Sequence, residues 1–183
     1  MRIVVTGTSG AGKTTMARVL SARLDLPHIE LDAINWQPGW HDLLTDDPDE
    51  FARRVAREVE ADAWVIDGNY ALTEDIVWPR ATHLVWLDYA RPVVMAQVIG
   101  RSVYRAVSGV ELWPGTGNRE NWRRWMRPSH PIRWAWSTWE RRRTETEERL
   151  ARPDLTHLVV LRLRRRRQAR AAVERLAAEA RAG

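Results

Sequence analysis

Eight residues near the start of the chain constrain its fold more than any other feature. Residues 7–14 read Gly-Thr-Ser-Gly-Ala-Gly-Lys-Thr, which fits the pattern G-x-x-x-x-G-K-[ST]. The β-branched residues 2–6 before it predict a short strand, and the apolar spacing of residues 13–24 after it predicts a helix. This order predicts a phosphate-binding loop, because the glycines let backbone N–H groups close around phosphate oxygens at the positive end of the helix.

The residue types within this loop predict the binding of ATP with Mg²⁺. Lys13 is expected to reach the β- and γ-phosphates, and Thr14 to offer its hydroxyl to Mg²⁺. Lys13 is the single lysine among 29 basic residues, and all the others are arginine. Because Arg is a wide planar fork and Lys a thin point charge, a lysine kept at this position indicates a steric requirement. The predicted nucleotide-binding residues are Gly7, Thr8, Ser9, Gly10, Ala11, Gly12, Lys13, Thr14 and Thr15.

Short apolar strands alternate with helical patterns along the rest of the chain. Further strands are predicted at 26–31, 63–67, 83–88 and 157–163, and further helices at 49–61, 92–105, 131–150 and 168–180. The alternation predicts an α/β fold with a parallel sheet covered by helices on both faces. A chain of 183 residues has room for one such domain, so residues 1–183 are expected to form a single unit.

Residues 101–127 interrupt this alternation. They contain three glycines, one proline and six arginines, namely Arg101, Arg105, Arg119, Arg123, Arg124 and Arg127. We interpret the segment as an arginine-rich lid over bound phosphates, in which Arg119 and Arg123 act on the transferring group. A solvated loop is the alternative interpretation.

Composition narrows the classes of function. The net charge of +5 suits an anionic ligand, either a nucleotide or a nucleic acid. The absence of cysteine excludes disulfides and thiolate metal sites. No signal segment or apolar run of membrane-spanning length is evident, so a cytoplasmic protein without a membrane partner is expected. A guanine-specific Asn-Lys-x-Asp element would need a second lysine, which disfavours a GTPase.

Several short motifs recur in one known group of proteins. Besides the phosphate-binding loop they are Leu31-Asp32, Asp67-Gly68-Asn69-Tyr70, Trp78-Pro79-Arg80, Trp86-Leu87-Asp88 and Gly117-Asn118-Arg119-Glu120. With these motifs, nearly the whole chain resembles the adenylate kinase-like P-loop kinases, and within them the bacterial group labelled topology modulation proteins. The resemblance implies the P-loop NTPase fold with five parallel strands, an acceptor region after the second strand, and a lid.

The resemblance also implies roles for individual residues. The third strand lies beside the first in such kinases, so Asp67 is expected to hold Mg²⁺ through water, together with the hydroxyl of Thr14, with Asp88 as the alternative. Asp32 resembles the acceptor-binding Asp of small-molecule kinases such as shikimate kinase, where it would orient a hydroxyl and take its proton. The alternative interpretation is that Asp32 caps the turn before Asn35. Asn35 and Arg80 complete the predicted acceptor site.

One departure from the resemblance concerns the acceptor. Nucleoside monophosphate kinases typically carry Asp-Gly-Phe-Pro-Arg after the third strand, whereas this chain has Asp67-Gly68-Asn69-Tyr70 and an arginine only at Arg80. The acceptor therefore need not be a nucleoside monophosphate.

Tryptophan is the last unusual feature of the sequence. Six of the 11 tryptophans fall within residues 113–139, where they would pack a core or a homodimer interface, or else stack nucleobases. We therefore carry two hypotheses forward. The leading one is a phosphotransferase that moves the γ-phosphoryl group of ATP–Mg²⁺ to a small-molecule or nucleotide acceptor. The alternative is a nucleotide-dependent regulatory or nucleic-acid-binding module.

Overall fold

A parallel five-stranded sheet forms the centre of the computed structural model, which describes residues 1–120, 125 and 130–182. The strands of this sheet are β1 (Arg2–Gly7), β2 (His28–Glu30), β5 (Trp64–Asp67), β6 (His83–Leu87) and β7 (Val159–Leu163). Two short strands, β3 (Trp36–Gln37) and β4 (His41–Asp42), pair with each other as an antiparallel hairpin. The order in the sheet is β2-β5-β1-β6-β7, and every neighbouring pair is parallel. The strand ends therefore meet at one carboxyl edge, which carries Gly7, Glu30 and Asp67.

Helices cover both faces of this sheet. They are α1 (Lys13–Leu24), α2 (Leu31–Asn35), α3 (Leu43–Asp46), α4 (Pro48–Glu58), α5 (Ala71–Val77), α6 (Arg91–Ser108), α7 (Pro131–Leu150) and α8 (Gln168–Ala182). Alternate strand residues point to opposite faces, so Val5 packs with α1, α6 and α8 while Val4 packs with α4 and α5. The two buried clusters fix the position of the β1–α1 loop at the centre of the carboxyl edge.

The predicted fold class is confirmed, and the differences are local. Strand β2 spans three residues, so Asp32 lies in the short helix α2 and not at a strand end. Helix α6 continues to Ser108 and ends at Gly109, whose φ of 57° is left-handed. The prediction that irregular structure begins at residue 101 is therefore wrong by eight residues. Elements α2, β3, β4, α3 and α5 had no sequence prediction.

Within the described part of the chain, no helix combines the length and the apolar character needed to cross a lipid bilayer.

Candidate functional site

The phosphate-binding loop is packed tightly against its surroundings. Gly10 has a φ of +86°, and a Cβ atom built there would lie 2.6 Å from the Cβ of Val98 in α6. Only glycine fits such a position, because it tolerates both the positive φ and the close approach. Gly12, with φ of 94°, precedes the first turn of α1, and the Lys13 ammonium donates a hydrogen bond to the Thr8 carbonyl at 3.4 Å. The loop therefore curls around the lysine with its backbone amides beside a helix N-terminus, as an anion site requires.

Charged groups of both signs converge on Lys13. Loss of hydration lowers the pKa of the Lys13 ammonium, and the carboxylates of Asp32 and Asp67 act in the opposite direction. Arg101 of α6 and Arg142 of α7 lower this pKa further. Lys13 of α1 thus lies within electrostatic range of one cationic side chain from α6 and one from α7, a repulsion that a bound anion would relieve.

Asp67 is brought directly to the loop, as the strand order predicts. It is buried at the end of β5, and its Oδ2 accepts a hydrogen bond from the Thr14 hydroxyl at 2.7 Å. Its other oxygen, Oδ1, lies 2.6 Å from Nε2 of His28 in β2. The sequence reasoning did not find His28, because a single histidine in a short strand belongs to no motif.

The Thr14–Asp67 pair fits the oxygen ligands that Mg²⁺ takes. Mg²⁺ usually binds one or two carboxylates and completes its octahedral shell with phosphate oxygens and water. Among the residues described, no group of three or more His, Asp or Glu side chains is arranged to hold a metal ion. Thr14 and Asp67 are therefore the residues that would hold a Mg²⁺ ion beside the bound nucleotide.

Asp88 has a different environment. It is buried at the end of β6, and its Oδ2 accepts a hydrogen bond from Nε of Arg162 at 2.7 Å. Arg143 lies 3.3 Å from the other oxygen, and the Arg162 guanidinium stacks 4.0 Å above the Trp86 ring. The Asp88 carboxylate is thus engaged by arginines on the β7 side of the sheet.

Asp32 lies at the carboxyl edge in contact with Tyr70. The Tyr70 hydroxyl donates to Oδ1 of Asp32 at 2.6 Å. Burial and the negative charge of Asp32 raise the pKa of the Tyr70 phenol well above its ordinary value, so Tyr70 stays a donor. This hydrogen bond fixes the orientation of the carboxylate and does not use its Oδ2 oxygen.

The other two residues of the predicted acceptor site do not join Asp32 as ligand-facing groups. Asn35 is buried, with its amide nitrogen donating to Asp42 at 3.0 Å and its oxygen accepting from the Leu44 amide at 2.8 Å. It holds the chain between α2 and α3. Arg80 is exposed and ends the 3-10 turn 78–80, three residues before β6 begins. It therefore lies at the amino edge of the sheet, opposite the phosphate-binding loop.

Arg101 belongs to the candidate functional site, whereas the sequence predicts it only as part of the lid. Its Nε is buried and has no hydrogen-bond partner among the described residues. Burial and neighbouring Arg105 lower its pKa, whereas Glu120 and Asp32 raise it. Buried donors are rarely left unsatisfied, so this nitrogen is well suited to an anionic ligand beside Lys13.

Of the two lid arginines predicted to be catalytic, the structure describes Arg119 and not Arg123. Arg119 is exposed, and its guanidinium donates to the Gly109 carbonyl at the base of the lid segment. Arg123 lies outside the described residues. The catalytic roles of both remain predictions.

Comparisons with known proteins agree with this geometry at the level of the fold. No protein-family model matches the chain. A protein of Thermococcus onnurineus (strain NA1) named "Putative adenylate kinase" is 37% identical over 73 residues, which cover 38% of this chain and 41% of that protein. The match thus spans about two fifths of that relative's length.

Similar solved structures cover nearly the whole chain. A shikimate kinase from Acinetobacter baumannii in complex with shikimate has a TM-score of 0.56 at 16% identity and covers 96% of this chain and 89% of its own. A sugar kinase from Janibacter sp. HTCC2649 has a TM-score of 0.52 at 21% identity and covers 96% of this chain and 91% of its own. A gluconokinase from Sinorhizobium meliloti 1021 has a TM-score of 0.51 at 18% identity and covers 97% of this chain and 94% of its own. The chain has the fold of these kinases, and membership of the topology modulation group stays a prediction.

Proposed function

We propose that this chain is a kinase that transfers the γ-phosphoryl group of ATP to a hydroxyl group of a small acceptor. The observation that carries the proposal is the Thr14–Asp67 hydrogen bond beside Lys13, in a glycine loop at the carboxyl edge of a parallel sheet. In open α/β sheets ligands bind at this edge, outside the ends of the strands.

The loop and its surrounding cations account for nucleotide binding. Backbone N–H groups of residues 7–14 hold the phosphates, and the Lys13 ammonium and Arg101 guanidinium neutralise charge that develops on the transferring group. Mg²⁺, held by Thr14 and Asp67, would supply further charge neutralisation on the phosphate oxygens.

Asp32 supplies the acceptor chemistry. Tyr70 holds one carboxylate oxygen, and the other is available to accept a hydrogen bond from the acceptor hydroxyl. The acceptor oxygen forms its bond to the γ-phosphorus as the bond from phosphorus to the β–γ bridging oxygen breaks, and Asp32 takes the hydroxyl proton. Catalysis in this arrangement is positioning and electrostatic stabilisation, with no covalent enzyme intermediate.

The test compares nucleotide binding and turnover in wild type and Lys13→Ala. We expect a fluorescent ATP analogue to bind wild type in the presence of Mg²⁺ and ADP release to rise with at least one hydroxyl acceptor in a panel. Lys13→Ala should lose most of both, while Arg175→Ala, an exposed arginine paired with Glu179 on α8, serves as the matched control. Equal nucleotide affinity in Lys13→Ala and wild type would contradict the proposal.

A further inference from the structure

Three tryptophans from two distant segments meet near Asp32. The rings of Trp36 and Trp113 are stacked with centroids 6.3 Å apart and planes inclined by 19°. Trp40 meets both edge-on, at 5.6 Å from Trp36 and 5.9 Å from Trp113. Trp36 and Trp40 belong to the β3–β4 hairpin, and both residues are half-buried. This aromatic cluster was not identified from the sequence.

The cluster is attached to the same edge that carries Asp32. The Trp36 amide closes the last turn of α2 by donating to the Asp32 carbonyl, so the backbone of Trp36 lies one helical turn from Asp32. The Trp113 indole N–H donates to Oε1 of Glu30, the last residue of β2, at 3.1 Å. The cluster therefore bonds the Glu30 carboxylate directly and is joined to Asp32 through the backbone of α2.

Trp40 is held in a conformation that bulky residues rarely adopt. Its φ is +64°, in the left-handed region, where the Cβ atom approaches the following carbonyl oxygen. The backbone N–H of Trp40 donates to Oδ1 of buried Asn118 at 2.8 Å, and the side-chain NH2 group of Asn118 donates to the Gln37 carbonyl at 2.9 Å. Such backbone strain is concentrated at sites where it serves ligand binding.

The charges around the cluster favour a neutral ligand. Glu30 and Asp32 are acceptors of hydrogen bonds, and burial together with Asp67 raises the pKa of Glu30. The cation bonded to Glu30 is Arg18, at 3.2 Å, and Arg80 lies at the opposite edge of the sheet. Lys13 and Arg101 are the cations near Asp32, and the ATP phosphates engage them in the kinase proposal. The two carboxylates would then repel a phosphate on the acceptor, whereas hydroxyl groups would donate to them.

We propose that Trp36, Trp40 and Trp113 form the wall of the acceptor subsite and that the acceptor is a neutral, hydroxyl-rich ring compound. This inference rests on the proposed kinase function and specifies its substrate class. The ring places a C–H face on the negative π face of tryptophan, and its hydroxyls donate to Asp32 and Glu30. One of these hydroxyls is the group that receives the phosphoryl.

The test measures ligand binding to the full chain loaded with Mg²⁺ and a non-hydrolysable ATP analogue. Calorimetric titrations use three neutral probes, D-glucose, D-ribose and adenosine, and their phosphate-bearing counterparts, glucose 6-phosphate, ribose 5-phosphate and AMP. At least one neutral probe should bind with a Kd below about 10 mM, and more tightly than its phosphorylated counterpart. Trp36→Ala and Trp40→Ala should weaken that binding about tenfold through lost ring contacts.

Two controls separate loss of the wall from loss of the fold. Trp136→Ala removes an exposed ring on α7 and should leave probe binding unchanged. Trp36→Phe retains an aromatic face and should bind the probe better than Trp36→Ala. Affinity for the ATP analogue should be equal in all four variants.

The outcomes that overturn the inference differ from those that overturn the kinase proposal. Binding of phosphate-bearing probes alone, binding of no neutral probe, or equal affinity in Trp36→Ala and wild type would each refute the aromatic acceptor subsite while nucleotide binding persists. Failure of wild type to bind the ATP analogue would refute the kinase proposal itself.

Discussion

Exchanging two aspartates for asparagine tests the site most directly. Asp67 and Asp88 end the two strands that flank β1, and each follows an apolar run, so their sequence contexts are nearly the same. Their contacts differ, because Asp67 accepts a hydrogen bond from the Thr14 hydroxyl and Asp88 accepts one from the Arg162 guanidinium. Asp67→Asn and Asp88→Asn should therefore fail in different assays.

Asp67→Asn should weaken the binding of Mg²⁺ while leaving the fold stable. Asparagine retains an acceptor for the Thr14 hydroxyl, which now lies 2.7 Å from the carboxylate, but it carries no negative charge for the cation. Loss of one charged interaction is worth about 1.5–3 kcal/mol, which corresponds to about a 10- to 100-fold higher Mg²⁺ midpoint. The free energy of unfolding should change by about 1 kcal/mol or less, since the substitution is isosteric and the asparagine NH2 group can donate to His28 in the tautomer whose Nε2 accepts.

Asp88→Asn should show the reverse pattern. Breaking a fully buried ion pair costs about 3–5 kcal/mol and an exposed one about 0–1 kcal/mol. The partners here are partly exposed, with 26% of the Arg162 side chain and 38% of the Arg143 side chain accessible. An intermediate loss of about 1–2 kcal/mol follows, which lowers Tm by about 2–8 °C in a chain of this size.

Both quantities can be measured on the same preparations. ATP turnover is titrated with Mg²⁺, and thermal unfolding is followed without nucleotide, in wild type and both variants. A raised Mg²⁺ midpoint in Asp88→Asn together with an unchanged midpoint in Asp67→Asn would refute the assignment of the cation to Thr14 and Asp67.

Three further predictions concern the cations and the acceptor carboxylate. Lys13→Arg should lose most nucleotide affinity in a titration, because the planar fork does not fit the loop; wild-type affinity would remove the steric argument. Arg101→Ala should lower turnover about a hundredfold or more, and more than Arg119→Ala, since the Arg101 Nε is buried without a hydrogen-bond partner among the described residues, whereas the Arg119 guanidinium donates to Gly109; the opposite ranking would move the phosphate contact into the lid. Tyr70→Phe should lower kcat with little change in the KM for ATP, because it frees the Asp32 carboxylate to rotate; a change in KM alone would contradict this role.

The sheet and its central loop could be predicted because their signals are local. Strands β1, β5 and β6 are continuous apolar runs, as expected where both faces of a parallel sheet are covered. The segment from α2 to α3 could not be predicted, since its helices and strands have two to five residues each. Its shape depends on Asn118, which bonds Gln37 across 81 positions of sequence.

The site was predictable only where a motif or the strand order determined the neighbours. Thr14 and Asp67 meet because β5 lies beside β1. Arg80 follows the Asp67 motif closely in sequence, but helix α5 carries the chain back to the amino edge before that residue. His28 and Arg142 are single residues outside any motif, and only the tertiary fold brings them to Asp67 and Lys13.

The distribution of arginine decides how the net charge of +5 relates to function. Much of the arginine on α7 is neutralised by carboxylates: Arg149 lies 2.6 Å from Glu74, and Arg143 lies 3.3 Å from Asp88. These pairs stabilise the packing of α7, and their charge is not available as a basic surface for nucleic acid.

In the kinase proposal the anion is held by a few enclosed groups, chiefly Lys13 and Arg101, so ATP affinity should fall only weakly with salt. A nucleic-acid module would instead lose affinity by orders of magnitude between about 50 and 200 mM salt, through counterion release from many phosphates. A steep salt dependence of duplex binding together with salt-independent loss of ATP binding in Lys13→Ala would assign the basic surface and the loop to separate functions.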